Sequence, residues 1–244
     1  MQKSIFGIVS NEALTENVYK MVLAGDTSHI TAPGQFVNIA LSGLYLRRPI
    51  SVCDVEEDKL TIIYKAVGKG TQQMSQMTQG NLDILTGLGN GYDLSLSGEN
   101  PVLLGGGVGV PPMYLLAKKL INDGKNVKVI LGFNTKSEVF YENEFKALGC
   151  QVFVTTVDGS YGQKGFVTDV LKEMDYSYFY TCGPEPMLKA VYKASKTSGQ
   201  MSFEKRMGCG FGACMGCSCK TITGYKRICK EGPVMQKEEI LWED

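Results

Sequence analysis

Five of the eight cysteines crowd into one short stretch, Cys209, Cys214, Cys217, Cys219 and Cys229, and their spacing limits what this chain can build more than any other feature does. Cys209-Gly-Phe-Gly-Ala-Cys214-Met-Gly-Cys217, followed at a distance by Cys229, has the C-x4-C-x2-C…C pattern of plant-type 2Fe-2S ligation. Such a rhomb needs four thiolates and a close-fitting loop. Gly208, Gly210, Gly212 and Gly216 let the backbone curl so that its N–H groups point at sulfur. A zinc site with four cysteine ligands also uses four thiolates but is usually built from two close pairs, and Cys229 has no close partner in sequence, so the spacing favours iron and sulfide with zinc as the alternative. Cys217-Ser218-Cys219 offers a competing ligand, and the two-residue gap selects Cys217. A thioredoxin-like reading of Cys214 to Cys217 fits less well, because that motif opens a helix after an early strand. The remaining cysteines, Cys53, Cys150 and Cys182, are scattered, so no disulfide framework is expected.

The rest of the composition removes whole classes of chemistry. The only histidine, His29, lies in an expected surface loop, which leaves no His-based proton shuttle and no Ser-His or Cys-His nucleophile. Lys and Arg total 25, Asp and Glu also total 25, and neither sign forms a long run, so no nucleic-acid footprint is present. No apolar run is long enough to span a bilayer, and Met1-Gln2-Lys3-Ser4 leads straight into alternating apolar residues rather than a secretory signal. A cytoplasmic protein without membrane contact is expected.

Residues 1–99 read as short strands with turn punctuation: Ser4 to Ser10, Val18 to Leu23, Gln35 to Ile39, Ser51 to Val55 and Lys59 to Ala66. That predicts an antiparallel β-barrel, interrupted by a short helix over Thr71 to Thr78 and turned at Gly87 to Gly91. Over 100–199 the period changes. Buried-strand runs at Val102 to Leu104, Val127 to Phe133, Gln151 to Thr156 and Tyr178 to Cys182 alternate with helical stretches at Pro112 to Asn122, Asn143 to Leu148, Gly165 to Met174 and Pro186 to Ser195. Alternation of this kind predicts an α/β domain with a parallel sheet. The remaining 200–244 are rich in Gly and Cys and too short to bury a core, so a metal centre is expected to order them as a small subdomain.

Two sets of residues suit phosphates. Gly105-Gly106-Gly107-Val108-Gly109-Val110-Pro111 follows a strand and opens a helix, where backbone amides meet a pyrophosphate, although a tight turn without ligand uses the same residues. The loop ends in proline rather than completing G-x-G-x-x-G, and no acidic ribose partner follows about 20 residues on, which disfavours a standard Rossmann dehydrogenase. In the barrel half, Arg48-Pro49-Ile50-Ser51 offers a forked donor set, Gly70 and Thr71 offer amides at the start of a short helix, and Tyr64 beside Lys65 suits an apolar slot. Taken singly, Arg48 reads equally as a surface cation.

Together these motifs resemble the ferredoxin-NADP reductase superfamily, and within it the family of dihydroorotate dehydrogenase B electron-transfer subunits. The likeness is carried by Leu46 to Ser51, Gly68 to Thr71, Gly105 to Pro112, Thr181 to Met187, Glu204 to Cys217, and Cys229 with Gly232-Pro233-Val234, in that order and over nearly the whole chain. It implies FAD in the barrel, held by Arg48, Pro49, Ile50, Ser51, Ile63, Tyr64, Lys65, Gly70 and Thr71, with Lys65 standing where an arginine is expected and keeping the charge but not the fork. It implies a nicotinamide nucleotide at Gly105, Gly106, Gly107, Gly109 and Pro111 and at Cys182, Gly183, Pro184 and Glu185; strand-end packing is the other reading of Cys182. It also implies a 2Fe-2S cluster on Cys209, Cys214, Cys217 and Cys229. The expected activity is electron transfer from an FMN-containing dihydroorotate dehydrogenase catalytic subunit, through cluster and FAD, to NAD+ in pyrimidine biosynthesis, in a heterotetramer of two copies of each subunit. No acid or base of this chain is needed for it. The rival readings are the small subunit of an NADH-dependent ferredoxin-NADP reductase or of a sulfide dehydrogenase, against which Cys209 in place of aspartate speaks, and a non-catalytic zinc-stabilised nucleotide-binding module.

Overall fold

The computed structural model describes residues 1–242, so the last two positions of the 200–244 stretch lie outside the described residues. Strands β1 (Gln2–Ala13), β2 (Val18–Ala24), β3 (Phe36–Ile39), β4 (Arg48–Glu56), β5 (Lys59–Lys65) and β6 (Asn81–Leu88) form a closed antiparallel barrel in the order β1-β2-β5-β4-β3-β6. Their side chains alternate as a half-buried strand requires: in β6, Leu82, Ile84, Thr86 and Leu88 point inward while their neighbours are partly or fully exposed. Helix α1 (Lys69–Ser75), displaced toward the N-terminus from the expected Thr71 to Thr78, drops Met74 into the barrel core with no exposed surface. Thr71 sets its start, since its hydroxyl accepts the amides of Val67 at 3.1 Å and Gly68 at 3.2 Å. Strand β6 was not expected, because Asn81, Asp83 and Gly87 are poor strand formers. It pairs with both β1 and β3 and leaves the barrel without an open edge.

The second layer begins with β7 (Val102–Gly106), followed by α2 (Pro111–Asn122), β8 (Lys128–Phe133), α3 (Glu142–Ala147), β9 (Gln151–Thr156), β10 (Gln163–Lys164), α4 (Val167–Lys172), β11 (Phe179–Cys182), α5 (Glu185–Ala194) and β12 (Gly199–Ser202). All of β7 is buried, as befits a strand covered on both faces. Pro111 and Pro112 open α2, where a missing N–H costs nothing. After the ribbon β13 (Ser218–Thr221) and β14 (Gly224–Arg227), strand β15 (Val234–Gln236) returns to the large sheet, whose order is β10-β9-β8-β7-β11-β12-β15. Pairing is parallel up to β12, and β15 joins antiparallel.

Strand β12 runs across position 200, and β15 pairs beside it, so the cysteine-bearing stretch is an excursion between two adjacent strands of the sheet. Its ends are tied together by the Phe203 amide, which donates to the Pro233 carbonyl at 2.9 Å. Asn90 joins the barrel to the same edge, its side chain donating to the Val234 carbonyl at 2.7 Å and accepting the Val234 amide at 3.1 Å. His29 lies exposed in a turn. Among the described residues no helix is long and apolar enough to cross a membrane.

Barrel and sheet are also joined by charge. Lys118 on α2 reaches across to Asp54 on β4 at 3.1 Å and to Glu56. Asp54 is 9% exposed; burial raises its carboxyl above the ordinary range, opposed by the hydrogen bond from Lys118. Lys118→Met should therefore leave a largely buried carboxylate unpaired and cost about 1–3 kcal/mol of stability. The deficit should shrink as pH falls, because protonated Asp54 needs no cation. Urea midpoints of the variant and the parent, measured at neutral and at mildly acidic pH, check both statements.

Candidate functional site

A cleft of about 1780 Å³ opens between the barrel and the carboxyl ends of the parallel strands. Chain order runs outward from β7 through β8 to one side and through β11 to the other, so the cleft lies at the point where strand order reverses, the usual place for a ligand in an open α/β sheet. The barrel wall carries Arg48, Pro49, Ile50, Ser51, Ile63, Tyr64, Lys65, Gly70 and Thr71, and the sheet wall carries Gly106, Gly107, Gly109, Cys182, Gly183, Pro184 and Glu185.

Gly105 and Pro111, grouped with these in the sequence, do not line it. Gly105 faces the root of α2, where a Cβ would meet the Val110 Cα at 2.8 Å, and Pro111 is buried in the first helical turn. Lining residues beyond the candidate set include Leu46 and Lys69 of the barrel motifs, Asn134, Glu138 and the segment Ser202–Met207 that leaves β12. That segment follows the carboxyl-end rule, but only once β12 is recognised as a strand.

Bare backbone brings the walls together. A Cβ on Gly70 would lie 2.2 Å from the Arg48 Nε, so only glycine lets that guanidinium pack against the start of α1. Arg48 also donates to the Leu46 carbonyl. A Cβ on Gly109 would lie 2.2 Å from the Cys182 carbonyl oxygen, and one on Gly106 would lie 2.3 Å from the Met187 Sδ. At Gly109 the loop after β7 thus packs backbone against backbone on the end of β11, an approach only glycine allows.

Tyr64 and Cys182, one on each wall, are held neutral. The Tyr64 hydroxyl turns away into the barrel and donates to Asn11 Oδ1 at 3.0 Å, and burial pushes its pKa up to about 12. Burial likewise pushes the Cys182 thiol up to about 12, so both stay neutral at physiological pH. The Glu185 carboxylate pairs with Lys205 at 3.3 Å across the cleft mouth. Such walls can bind and orient a ligand.

The cysteine loop curls beside the barrel, with Gly210 at φ +78° and Gly212 at φ +93°. The Cys209 Sγ accepts the amides of Ala213 at 3.2 Å and Cys214 at 3.4 Å. Burial pushes the Cys209 thiol up, but the amides of Phe211, Cys214 and Ala213 outweigh it and hold it down at about 6. The Cys217 Sγ accepts the Cys229 amide at 3.4 Å. Burial, and then the neighbouring Cys217, push the Cys229 thiol up to about 12. The four thiols therefore fall into two pairs, Cys209 with Cys214 and Cys217 with Cys229. Among the described residues no three Cys, His, Asp or Glu groups are gathered tightly enough to hold a single metal ion. Two pairs are what a rhomb with two irons takes. Cys219 looks elsewhere, its Sγ 4.0 Å from the Met235 Sδ.

Comparison with known proteins agrees with this geometry. The family model for the iron-sulfur cluster binding domain of dihydroorotate dehydrogenase B matches residues 204–241, and the oxidoreductase NAD-binding domain matches residues 103–193. The solved structure of an NADH-dependent reduced ferredoxin-NADP oxidoreductase superposes with TM-score 0.88 at 30% identity, over 97% of this chain and 90% of that one. A ferredoxin NADP+ reductase from Neisseria gonorrhoeae, with bound FAD and NADP, shares the fold at TM-score 0.70 and 18% identity, over 80% of this chain and 90% of that one. Among curated relatives, the dihydroorotate dehydrogenase B (NAD(+)) electron transfer subunit of Fusobacterium nucleatum is 45% identical over 96% of both chains. That of Bacillus pumilus is 45% identical over 98% of both chains. With that identity sustained from end to end, this chain belongs to the family of dihydroorotate dehydrogenase B (NAD+) electron transfer subunits.

Proposed function

We propose that this chain carries electrons from an FMN-containing dihydroorotate dehydrogenase catalytic subunit to NAD+, in a heterotetramer of two copies of each subunit in the cytoplasm. The observation that carries the reading is one cleft with a barrel wall and a sheet wall, next to four thiols arranged as two pairs. FAD would be held by Arg48, Pro49, Ile50, Ser51, Ile63, Tyr64, Lys65, Gly70 and Thr71. The nicotinamide nucleotide would lie on Gly106, Gly107, Gly109 and Cys182 to Glu185, with Gly105 and Pro111 shaping the loop from behind. Cys209, Cys214, Cys217 and Cys229 would ligate a 2Fe-2S cluster. Bound together, these groups supply the exchange between two-electron hydride traffic and one-electron steps.

The chain's own part is to bind and orient. Arg48 presents a fork to a pyrophosphate, the bare floor at Gly106 and Gly109 lets a nucleotide approach the backbone, and the neutral thiol of Cys182 adds no charge there. The same reading divides the chain into a flavin unit at 1–99, a nucleotide unit at 100–199 whose last strand runs on to Ser202, and a cluster unit in the remainder.

Purification without oxygen, with flavin, iron and labile sulfide quantified, tests the cofactors. Co-expression with the catalytic subunit should give dihydroorotate-dependent NAD+ reduction that neither subunit supports alone. Oxidation of dihydroorotate by the isolated chain, or a preparation lacking both flavin and iron, would refute the proposal.

A further inference from the structure

Strand β3 is buried at all four positions, Phe36, Val37, Asn38 and Ile39, and three of them are the apolar residues such a place calls for. Asn38 is the exception at 1% exposure. Its amide makes a single contact: Nδ2 donates to the Cys209 carbonyl at 3.2 Å, and Oδ1 is buried with no hydrogen-bond partner among the described residues. The orientation is fixed by that contact, because the other rotation would set two oxygens face to face. An unpaired buried amide oxygen costs about 1–3 kcal/mol, so packing alone favours an aliphatic side chain here.

Both sides of the contact are built around the amide. A Cβ on Gly210 would lie 2.2 Å from Asn38 Nδ2, so the glycine after Cys209 leaves the room that the side chain occupies. The backbone of Asn38 is clamped in turn, its carbonyl accepting from Arg47 at 3.2 Å while the same guanidinium nitrogen bonds the Asp83 carbonyl at 3.0 Å. Its partner across the ladder is Pro49, which lines the cleft. Asn38 is thus a rigid strut from the barrel wall to the peptide that follows Cys209. That peptide in turn orients the loop whose Ala213 and Cys214 amides converge on the Cys209 sulfur.

We propose that Asn38 is a positioning residue for the cluster: by holding the Cys209–Gly210 peptide it keeps the amide cage on the Cys209 sulfur closed and so sets the electronic environment of that ligand. The inference rests on the reading of Cys209 as a cluster ligand. Partners one shell beyond a ligand tune metal affinity and potential through the orientation they impose. N–H groups on a ligand sulfur favour the reduced, more negative cluster, so loosening the cage lowers the midpoint potential.

The test uses the full chain with its cofactors, purified without oxygen, in parent, Asn38→Leu, Asn38→Asp and Asn38→His forms. In Asn38→Leu the iron and sulfide should remain, the g-values of the reduced cluster should move, the midpoint potential should fall, and iron loss to a chelator should be about tenfold faster. Asn38→Asp, close in shape, should move both signatures in the same direction, and Asn38→His, which keeps a donor at the same reach, should restore them. If Leu destabilises the fold, Asp alone decides. Unchanged g-values and potential in whichever of these two variants folds overturn the proposal, as does a shift that His fails to reverse. Failure of the underlying reading looks different: the parent protein lacks iron and labile sulfide, or Cys209→Ser retains the whole cluster.

Discussion

Cys217→Ser should lose its iron and labile sulfide, while Cys219→Ser, two positions along, should keep both in full. The two thiols are close in sequence, but they occupy different surroundings. Cys217 is 3% exposed, and its sulfur accepts the amide of Cys229, itself 2% exposed. Cys219 sits on β13 with its sulfur turned toward Met235 on β15, 4.0 Å from the Met235 Sδ. A serine at 217 removes one of the two donors expected on the same iron and leaves a hydroxyl in an apolar pocket, at a cost of about 1–3 kcal/mol where it finds no partner. Because the loop is also tied at both ends to the sheet, through Phe203 and Pro233, the Cys217→Ser protein should stay folded and retain its flavin. Iron and sulfide assays, with the visible spectrum, read the outcome directly. Equal iron in the two variants would show that ligation is not set by the two-residue gap, and the assignment of the second pair would fail.

That contrast also shows where sequence reasoning reaches and where it stops. The C-x4-C-x2-C pattern is local, so Cys209, Cys214 and Cys217, with Cys229 further on, can be proposed as ligands from spacing, and Pro112 announces α2 in the same way. What escaped depends on partners far along the chain. Strand β6 carries Asn81, Asp83 and Gly87 beside Leu85 on its outer face and exists because β1 and β3 flank it. Strand β15 spans only Val234–Gln236 and is a strand because β12 offers it an edge. Without β12 and β15 the stretch after Gln200 reads as a tail that a metal centre must order, and nothing local marks Ser202–Met207 as cleft lining.

Gly105 and Pro111 are absent from the cleft lining for a different reason. A motif is contiguous in sequence, but a strand turns alternate residues to opposite faces and a helix buries its first turn, so the motif's members do not all reach one ligand. The strut at Asn38 was invisible for the simplest reason, since one polar residue in an apolar strand carries no periodic signal.

Gly109→Ala should abolish most nicotinamide-dependent electron transfer while leaving flavin and cluster in place. The added Cβ would sit 2.2 Å from the Cys182 carbonyl oxygen, 2.4 Å from its carbon and 2.6 Å from the Gly183 nitrogen. All three are backbone atoms, so no rotamer relieves the clash, and the loop after β7 must move away from the end of β11 at the cleft floor. Opening that floor to ordinary contact moves the peptides by about 1 Å, a displacement that can cost on the order of 100-fold in kcat/KM when it misplaces a reacting ring. Gly124→Ala, just past α2 and outside the cleft, is the control, because a Cβ there meets nothing within 4 Å and carries only the strain of φ +75°. That strain is worth about 1–2 kcal/mol and should reduce stability more than turnover. The measurement is NADH-dependent reduction of an artificial electron acceptor by the intact complex, set against flavin and iron content and the unfolding midpoint of each variant. Wild-type kcat/KM in Gly109→Ala would mean that the nucleotide does not use the β7–β11 floor. A loss of flavin in step with activity would mean that the two walls of the cleft are not separable.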